Sequence, residues 1–414
     1  MKGLIIVLAA FVVLIGSTST IMAGDVTLLH EFAGGNDDGQ YPKGSLTLSG
    51  STLYGMTSYG GDTWDGGTVF SIATDGTGFS LLHEFAGGDD DGRYPEGSLT
   101  LSGSTLYGMT YGGGDSFAGT VFSIETDGTG FSLLHEFAGG GGVYGGSPEG
   151  SLTLSGSTLY GMTSYGGTSD EGTVFSIGTD GTGFSLLHEF VGGDDDGKHP
   201  CGNLTLNGST LYGMTPNGGD SNIGTLFSIG TDGTGFSLLH EFAGGGDDGA
   251  WPHGSLTLSG STLYGTTLVG GNSGRGTVFS IGTDGTGFSL LHEFADNDDP
   301  IAGPRGSLTL SGSTLFGMTS ADGNSSAGTV FSVGTDGTGF RLLHQFAGGD
   351  DDGRYPEGSL TLGGSILYGT TRWGGDSSGG TVFSISVPEP STFVLLGMGA
   401  LGILAFACRR RKRC

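Results

Sequence analysis

The 414-residue chain carries 91 Gly and 11 Pro, and 91 + 11 = 102 puts about a quarter of it at the composition where disorder is the default. The glycines recur at fixed places among β-branched and aromatic residues, without a G-X-Y register, which excludes both disorder and collagen. Lys+Arg 14 against Asp+Glu 42, a formal charge of −28, excludes nucleic acid as a partner, and the three cysteines, Cys201, Cys408 and Cys414, cannot build a disulfide framework.

Residues 1–23 read as a secretory signal peptide. Lys2 supplies the positive start, the run from Leu4 to Ile15 the apolar core, and a polar stretch ends near Ala23. The alternative is an uncleaved anchor helix, for which the apolar run is short.

Residues 24–386 form one repetitive body. Leu-Leu-His begins at positions 28, 81, 133, 186, 238, 290 and 342, a spacing of 52 or 53 residues. Each unit holds four stretches of strand character, in the first unit 45–49 (SLTLS), 52–57 (TLYGMT), 68–73 (TVFSIA) and 79–85 (FSLLHEF). Short Ser-Gly turns join the first pair. Thr-Asp-Gly-Thr-Gly joins the second and supplies the positive-φ positions that a tight hairpin requires. The body therefore reads as all β, and four antiparallel strands in about 50 residues match one blade of a β-propeller. The count closes at seven when residues 26–32, a fourth-type strand standing alone at the start, pair beside 381–385 and complete the last blade. An open β-solenoid is the competing architecture. Glycines such as Gly55, Gly108 and Gly161 leave room for an aromatic ring or a neighbouring backbone.

Residues 387–414 form a third region. Pro388-Glu389-Pro390 precedes an uncharged segment, 393–407, then Cys408 and a basic cluster, Arg409 to Arg413. With its flanks, segment 393–408 reads as a short transmembrane segment whose basic end stays cytoplasmic, leaving everything upstream outside. The layout resembles the PEP-CTERM sorting signal of exopolysaccharide-producing Gram-negative bacteria. That resemblance implies processing at the membrane by an exosortase-type transpeptidase, then surface attachment or release. An ordinary tail anchor is the alternative. With both ends removed, the body holds eight basic residues against 41 acidic ones, or 8 − 41 = −33.

The repeat itself, through Leu-Tyr-Gly-x-Thr at 106–110 and Gly-Thr-Val-Phe at 119–122, resembles the GloVer-type tandem repeat. Such repeats also occur upstream of PEP-CTERM tails. The resemblance implies an exported repeat protein and brings no catalytic residue.

Tight hairpins share one face of such a ring. The longer connections, 33–44 and 58–67 in the first unit, share the other, where candidate binding residues gather. The residue before each x-Pro-x-Gly proline is Tyr41, Tyr94, Ser147, His199, Trp251, Gly303 or Tyr355. Tyr41, Tyr94, His199, Trp251 and Tyr355 are candidates for stacking on sugar rings at the channel mouth; the alternative is that each ring packs on its own proline. The blade-crossing loops carry acidic runs, from which Asp89, Asp91, Asp194, Asp196, Asp350 and Asp352 are candidate Ca²⁺ ligands, although no run has EF-hand or RTX spacing. The alternative is solvated charge that keeps a Gly-rich surface soluble. Only the loop 138–150 lacks aspartate. The seven repeated histidines, His30, His83, His135, His188, His240, His292 and His344, fall on outermost strands, too dispersed to share one ion, and read as structural. His199, Cys201 and His253 form one irregular cluster, a thiol and two imidazoles of zinc-binding type without close ligand spacing.

No nucleophile elbow, P-loop or HExxH motif occurs. The sequence therefore reads as a non-catalytic exported surface or extracellular-matrix propeller, an interaction module for protein or polysaccharide. The alternative is a polysaccharide hydrolase or lyase using loop carboxylates such as Asp194–Asp196 near His199.

Overall fold

A computed structural model describes residues 26–61, 66–88, 90–138, 145–294, 303–320, 327–349 and 351–387. The signal segment, the sorting motif Pro388-Glu389-Pro390 and the apolar segment 393–408 lie outside those residues, as do Asp89 and Asp350. Among the described residues no helix is long and apolar enough to cross a membrane.

Seven four-stranded antiparallel sheets make up the body. In the first blade the strands are Thr47–Ser49, Thr52–Thr57, Thr68–Ala73 and Ser80–Glu84, hydrogen-bonded in chain order. The last blade combines Thr361–Gly363, Ile366–Thr371 and Thr381–Ser386 with the N-terminal strand Val26–Glu31, where Val26 faces Ile385 and Glu31 faces Thr381. The ring closes as the sequence predicts. Each fourth strand carries a one-residue bulge, at Leu29 in the closing strand, which increases local twist.

Closure is built at the axis by two circuits of hydrogen bonds. In the first, the backbone N–H of Ser45 donates to Ser98 Oγ, Ser98 to Ser151 Oγ, and Ser151 to Asn203 Oδ1. It continues from Asn203 to Ser255, Ser307 and Ser359, and returns to Ser45. In the second, each first-strand threonine hydroxyl donates to the leucine carbonyl of the next blade, from Thr47 to Leu99 around to Thr361 and Leu46. The first strands enclose a channel with a cavity of about 380 Å³ lined by these Ser, Leu and Thr residues.

The apolar core lies between blades, in seven clusters. The period-2 alternation of a strand sends successive side chains to opposite faces, and here both faces are covered. Tyr54, Met56, Val69 and Phe85 of the first blade thus meet Leu99, Leu106, Phe122 and Ile124 of the second. Each glycine after the second-strand tyrosine faces a phenylalanine of its own blade; a Cβ on Gly161 would lie 2.5 Å from Phe175 Cζ. At the perimeter, six of the repeated histidines stack on a phenylalanine of the next blade, such as His30 on Phe79 at 3.8 Å and 7°. The histidines therefore fasten blade to blade. The closing strand begins with Val26 where the other blades have that phenylalanine, so the seventh histidine, His344, has no such ring to stack on.

The long connections do share a face. The blade-crossing loop and the loop between strands two and three pair as short ladders, Gly39–Gln40 with Tyr59–Gly60 in the first blade and Gly353–Arg354 with Trp373–Gly374 in the last. Among the described residues five blades carry such a two-stranded ladder and another a single bridge, Gly146 with Tyr165, and together these scaffold the long-loop face.

Candidate functional site

The residue before each buried x-Pro-x-Gly proline has an unusual backbone. Tyr41, Tyr94, Ser147, His199, Trp251 and Tyr355 all adopt φ between 52° and 58°. A left-handed conformation costs a non-glycine residue about 1–2 kcal/mol, and a residue preceding proline ordinarily stays extended. Backbone bonds from two blades hold it there. Tyr41 N–H donates to Gly379 O at 2.7 Å and Tyr41 O accepts from Ser58 N–H; Trp251 N–H donates to Ile223 O and Trp251 O accepts from Leu268 N–H. The prolines dock on the preceding blade, where Pro95 Cδ lies 2.7 Å from where a Cβ on Gly67 would sit. Strain retained by surrounding structure is characteristic of functional positions.

The rings thus held form an arc across the seams of three blades. Trp373 lies 4.5 Å from Tyr41, Tyr41 5.6 Å from Tyr59, and Tyr59 4.9 Å from Tyr94, between ring centroids. Arginines cap both ends: Arg93 stands over Tyr94 at 4.4 Å, and Arg354 faces both Tyr355 and Trp373. Of the five predicted sugar-stacking residues, Tyr41 and Tyr94 belong to this arc and Tyr355 joins it through Arg354. His199 pairs instead with Tyr165 at 5.1 Å, and Trp251 stands apart, 41% exposed. Tyr59 and Trp373 escaped the sequence reading. Their signal is an aromatic residue directly before the glycine of the loop after strand two, as in Ser-Tyr-Gly-Gly and Arg-Trp-Gly-Gly.

Inside this arc, at the mouth of the channel, sits a ring that the sequence reading also missed. The residue after each proline is Lys43, Glu96, Glu149, Cys201, His253, Arg305 and Glu357 in turn. The glycine that follows packs on its counterpart in the next blade, as Gly202 does on Gly254 O, so the seven side chains share one annulus two residues before the channel-lining serines. Lys43 pairs with Glu96, Glu357 accepts from Arg372 at 3.1 Å, and Cys201 Sγ lies 3.4 Å from His253 Nδ1. Burial, then repulsion from Glu96, raises the Glu149 carboxyl above the usual range, against a hydrogen bond from Ser164. Burial also raises the Cys201 thiol, and it draws His253 down to about 4, with Arg305 adding to the effect. His199 does not join Cys201: its Nδ1 meets Ser164 O at 2.9 Å and its Nε2 meets Glu171 at 3.1 Å.

The acidic loops divide their work. The last aspartate of a run closes its own loop. Asp196 accepts from Val191 N–H and Gly197 N–H, both at 2.8 Å, and meets His188 Nε2 at 3.2 Å. Asp91 and Asp352 do the same with His83 and His344. Asp194 and Asp195 face solvent. Among the described residues, no three His, Cys, Asp or Glu side chains come together to hold a metal ion.

A family model described as the Gloeobacter/Verrucomicrobia repeat matches residues 16–227 and 193–383. The chain belongs to this repeat family. A PEP-CTERM protein-sorting motif matches residues 386–412, which marks the protein for export, as a membrane-anchored precursor bound for the cell surface and processed by an exosortase. No curated protein matches the chain. Among solved structures, an oligogalacturonate lyase in complex with manganese matches at TM-score 0.55 and 11% identity, over 89% of this chain and 95% of that one. A putative 6-phosphogluconolactonase from Bacteroides fragilis matches at TM-score 0.50 and 19% identity, over 84% and 96%. At such identities the likeness is one of fold alone.

Proposed function

We propose that this exported propeller is a non-catalytic interaction module whose long-loop face binds polysaccharide, with sugar rings laid along the arc of Trp373, Tyr41, Tyr59 and Tyr94. The arc is the observation that carries the reading. Aromatic faces take up the apolar faces of sugars, and adjoining carboxylates and backbone groups serve their hydroxyls. Phe117, Tyr165, Val191 and Trp251, all exposed, lie on the same face. Chain direction favours its outward presentation. Val26 and Ile385 are paired at the hairpin end, and Val387 N–H donates to Ser365 O there, so the last described residue lies on the face opposite the arc. The test is retardation of the protein in gels containing surface polysaccharide. Tyr41→Ala and Trp373→Ala should each weaken binding by about tenfold, in line with stacking worth about 1–2 kcal/mol. Migration indifferent to every polysaccharide would overturn the reading.

One observation favours the competing reading of a hydrolase or lyase. Glu96 and Glu149 occupy neighbouring positions in the annulus, and their environments differ, one paired with Lys43 and the other protonation-prone. Turnover of a polysaccharide that is lost in Glu149→Gln would establish it, with these glutamates in place of the loop aspartates.

A further inference from the structure

The rings that line the channel itself are uniform or nearly so. The channel is lined by six serines and one asparagine, then by seven leucines, then by six threonines. The residue after the proline breaks this symmetry completely, with five different side chains, all titratable, at seven equivalent positions. Internal pairing then accounts for most of the charge. Lys43 is matched by Glu96 and Glu357 by Arg372. Burial keeps Cys201 and His253 uncharged and pushes Glu149 toward its neutral form. Arg305 remains. It is exposed, forms no ion pair among the described residues, and stands close enough to Cys201 and His253 to act on both. By position in the sevenfold ring it faces Glu96 and Glu149 across the mouth.

We propose that the channel mouth is a subsite for a single carboxylate-bearing sugar unit, a uronate, with Arg305 holding the carboxylate and Glu96 and Glu149 accepting from or donating to the hydroxyls opposite. This rests on the polysaccharide reading and names its substrate class. Guanidinium is the side chain best suited to a planar carboxylate, through two parallel N–H donors. The body's −33 charge and exposed aspartates such as Asp37, Asp90, Asp194, Asp195, Asp247 and Asp351 repel a dense polyuronate. The fitting ligand is therefore a largely neutral glycan with sparse uronate units, its neutral part on the aromatic arc and its acidic unit at the axis.

The test is a titration of the full chain with D-glucuronate, D-glucose and acetate, read from the arginine side-chain ¹⁵Nε resonances, with Arg305 assigned by its loss in Arg305→Lys. Glucuronate should shift the Arg305 signal saturably, with half-saturation below about 50 mM, while glucose and acetate leave it at least tenfold less responsive. Arg305→Gln should abolish saturable glucuronate binding and leave retardation by neutral polysaccharide unchanged. Trp373→Ala should do the reverse, so failure of the arc and failure of the subsite produce different patterns. No saturable shift, or an equal shift with acetate, overturns the proposal.

Discussion

The backbone N–H of Ser359 donates to Ser45 Oγ at 2.7 Å, a bond between residues 314 positions apart that completes the circuit of seven around the axis. Its partner at the perimeter is the strand Val26–Glu31, seated on Thr381–Ser386 in the same register as the fourth strand of every other blade. Phe32, which follows the closing strand, is as fully buried as Phe190 in an uninterrupted blade. Phe32→Ala and Phe190→Ala should therefore cost the same, about 3–5 kcal/mol each. Denaturant unfolding of the two variants checks this, and a markedly smaller cost at Phe32 would mean that the N-terminal strand is only loosely seated.

Gly161 tests the packing inside a blade. Its strand neighbours Tyr160 and Met162 point away toward the next blade, and the ring of Phe175 crosses the space over the glycine. Gly161→Ala should destabilise by about 1–3 kcal/mol through overpacking, and Phe175→Leu in the same chain should return part of that loss. Thermal unfolding of the single and double variants measures the coupling. Independent, additive losses would contradict the packing described.

Much of this architecture was legible because it repeats. Spacing, hairpin turns and the orphan strand at the N-terminus gave blade number and closure, since a seventh fourth strand must come from somewhere. The site was harder to read. Tyr41 and Tyr94 stood out as aromatic residues in a variable position. Tyr59 and Trp373 did not, because what gathers them is the ladder between two loops, which two residues of strand cannot announce in sequence. The annulus of Lys43, Glu96, Glu149, Cys201, His253, Arg305 and Glu357 reads in sequence as scattered charge. Only the stacking of successive x-Pro-x-Gly glycines brings these side chains to one mouth.

Within the run Asp194–Asp195–Asp196, three identical side chains should respond differently to removal. Asp196 is buried and satisfies two backbone N–H groups beside His188, so Asp196→Ala leaves donors without acceptors and should cost about 2–3 kcal/mol. Asp194→Ala and Asp195→Ala remove solvated groups and should change stability by less than about 0.5 kcal/mol. Melting temperatures with and without Ca²⁺ decide what those two do. The same values in both conditions leave them as solvated charge, whereas a calcium-dependent rise lost in Asp194→Ala would make them ligands.

His135 predicts a pH dependence of stability. Its blade-crossing loop is the one without aspartate, and among the described residues its Nε2 has no hydrogen-bond partner. Burial draws its imidazole down to about 4. In the unfolded chain the group titrates near 6.5, so on acidification the unfolded state takes up the proton first. The stabilising contribution is thus complete above pH 6.5 and disappears as pH falls from 6.5 toward 4, by at most about 3 kcal/mol. His253, also drawn down to about 4, adds to the slope in the same window. Asp352, held below its usual value by His344 and two backbone N–H groups despite burial, acts only at lower pH, below about 3.8. His135→Phe preserves the stack on Phe184 and removes the titrating group. It should be nearly neutral at pH 8 and flatten the loss of melting temperature between pH 6.5 and 4. His83→Phe deprives Asp91 of its imidazole partner and should destabilise by about 1–3 kcal/mol at pH 8. Equal behaviour of the two variants across that range would refute the distinction between the aspartate-bearing blades and the one without.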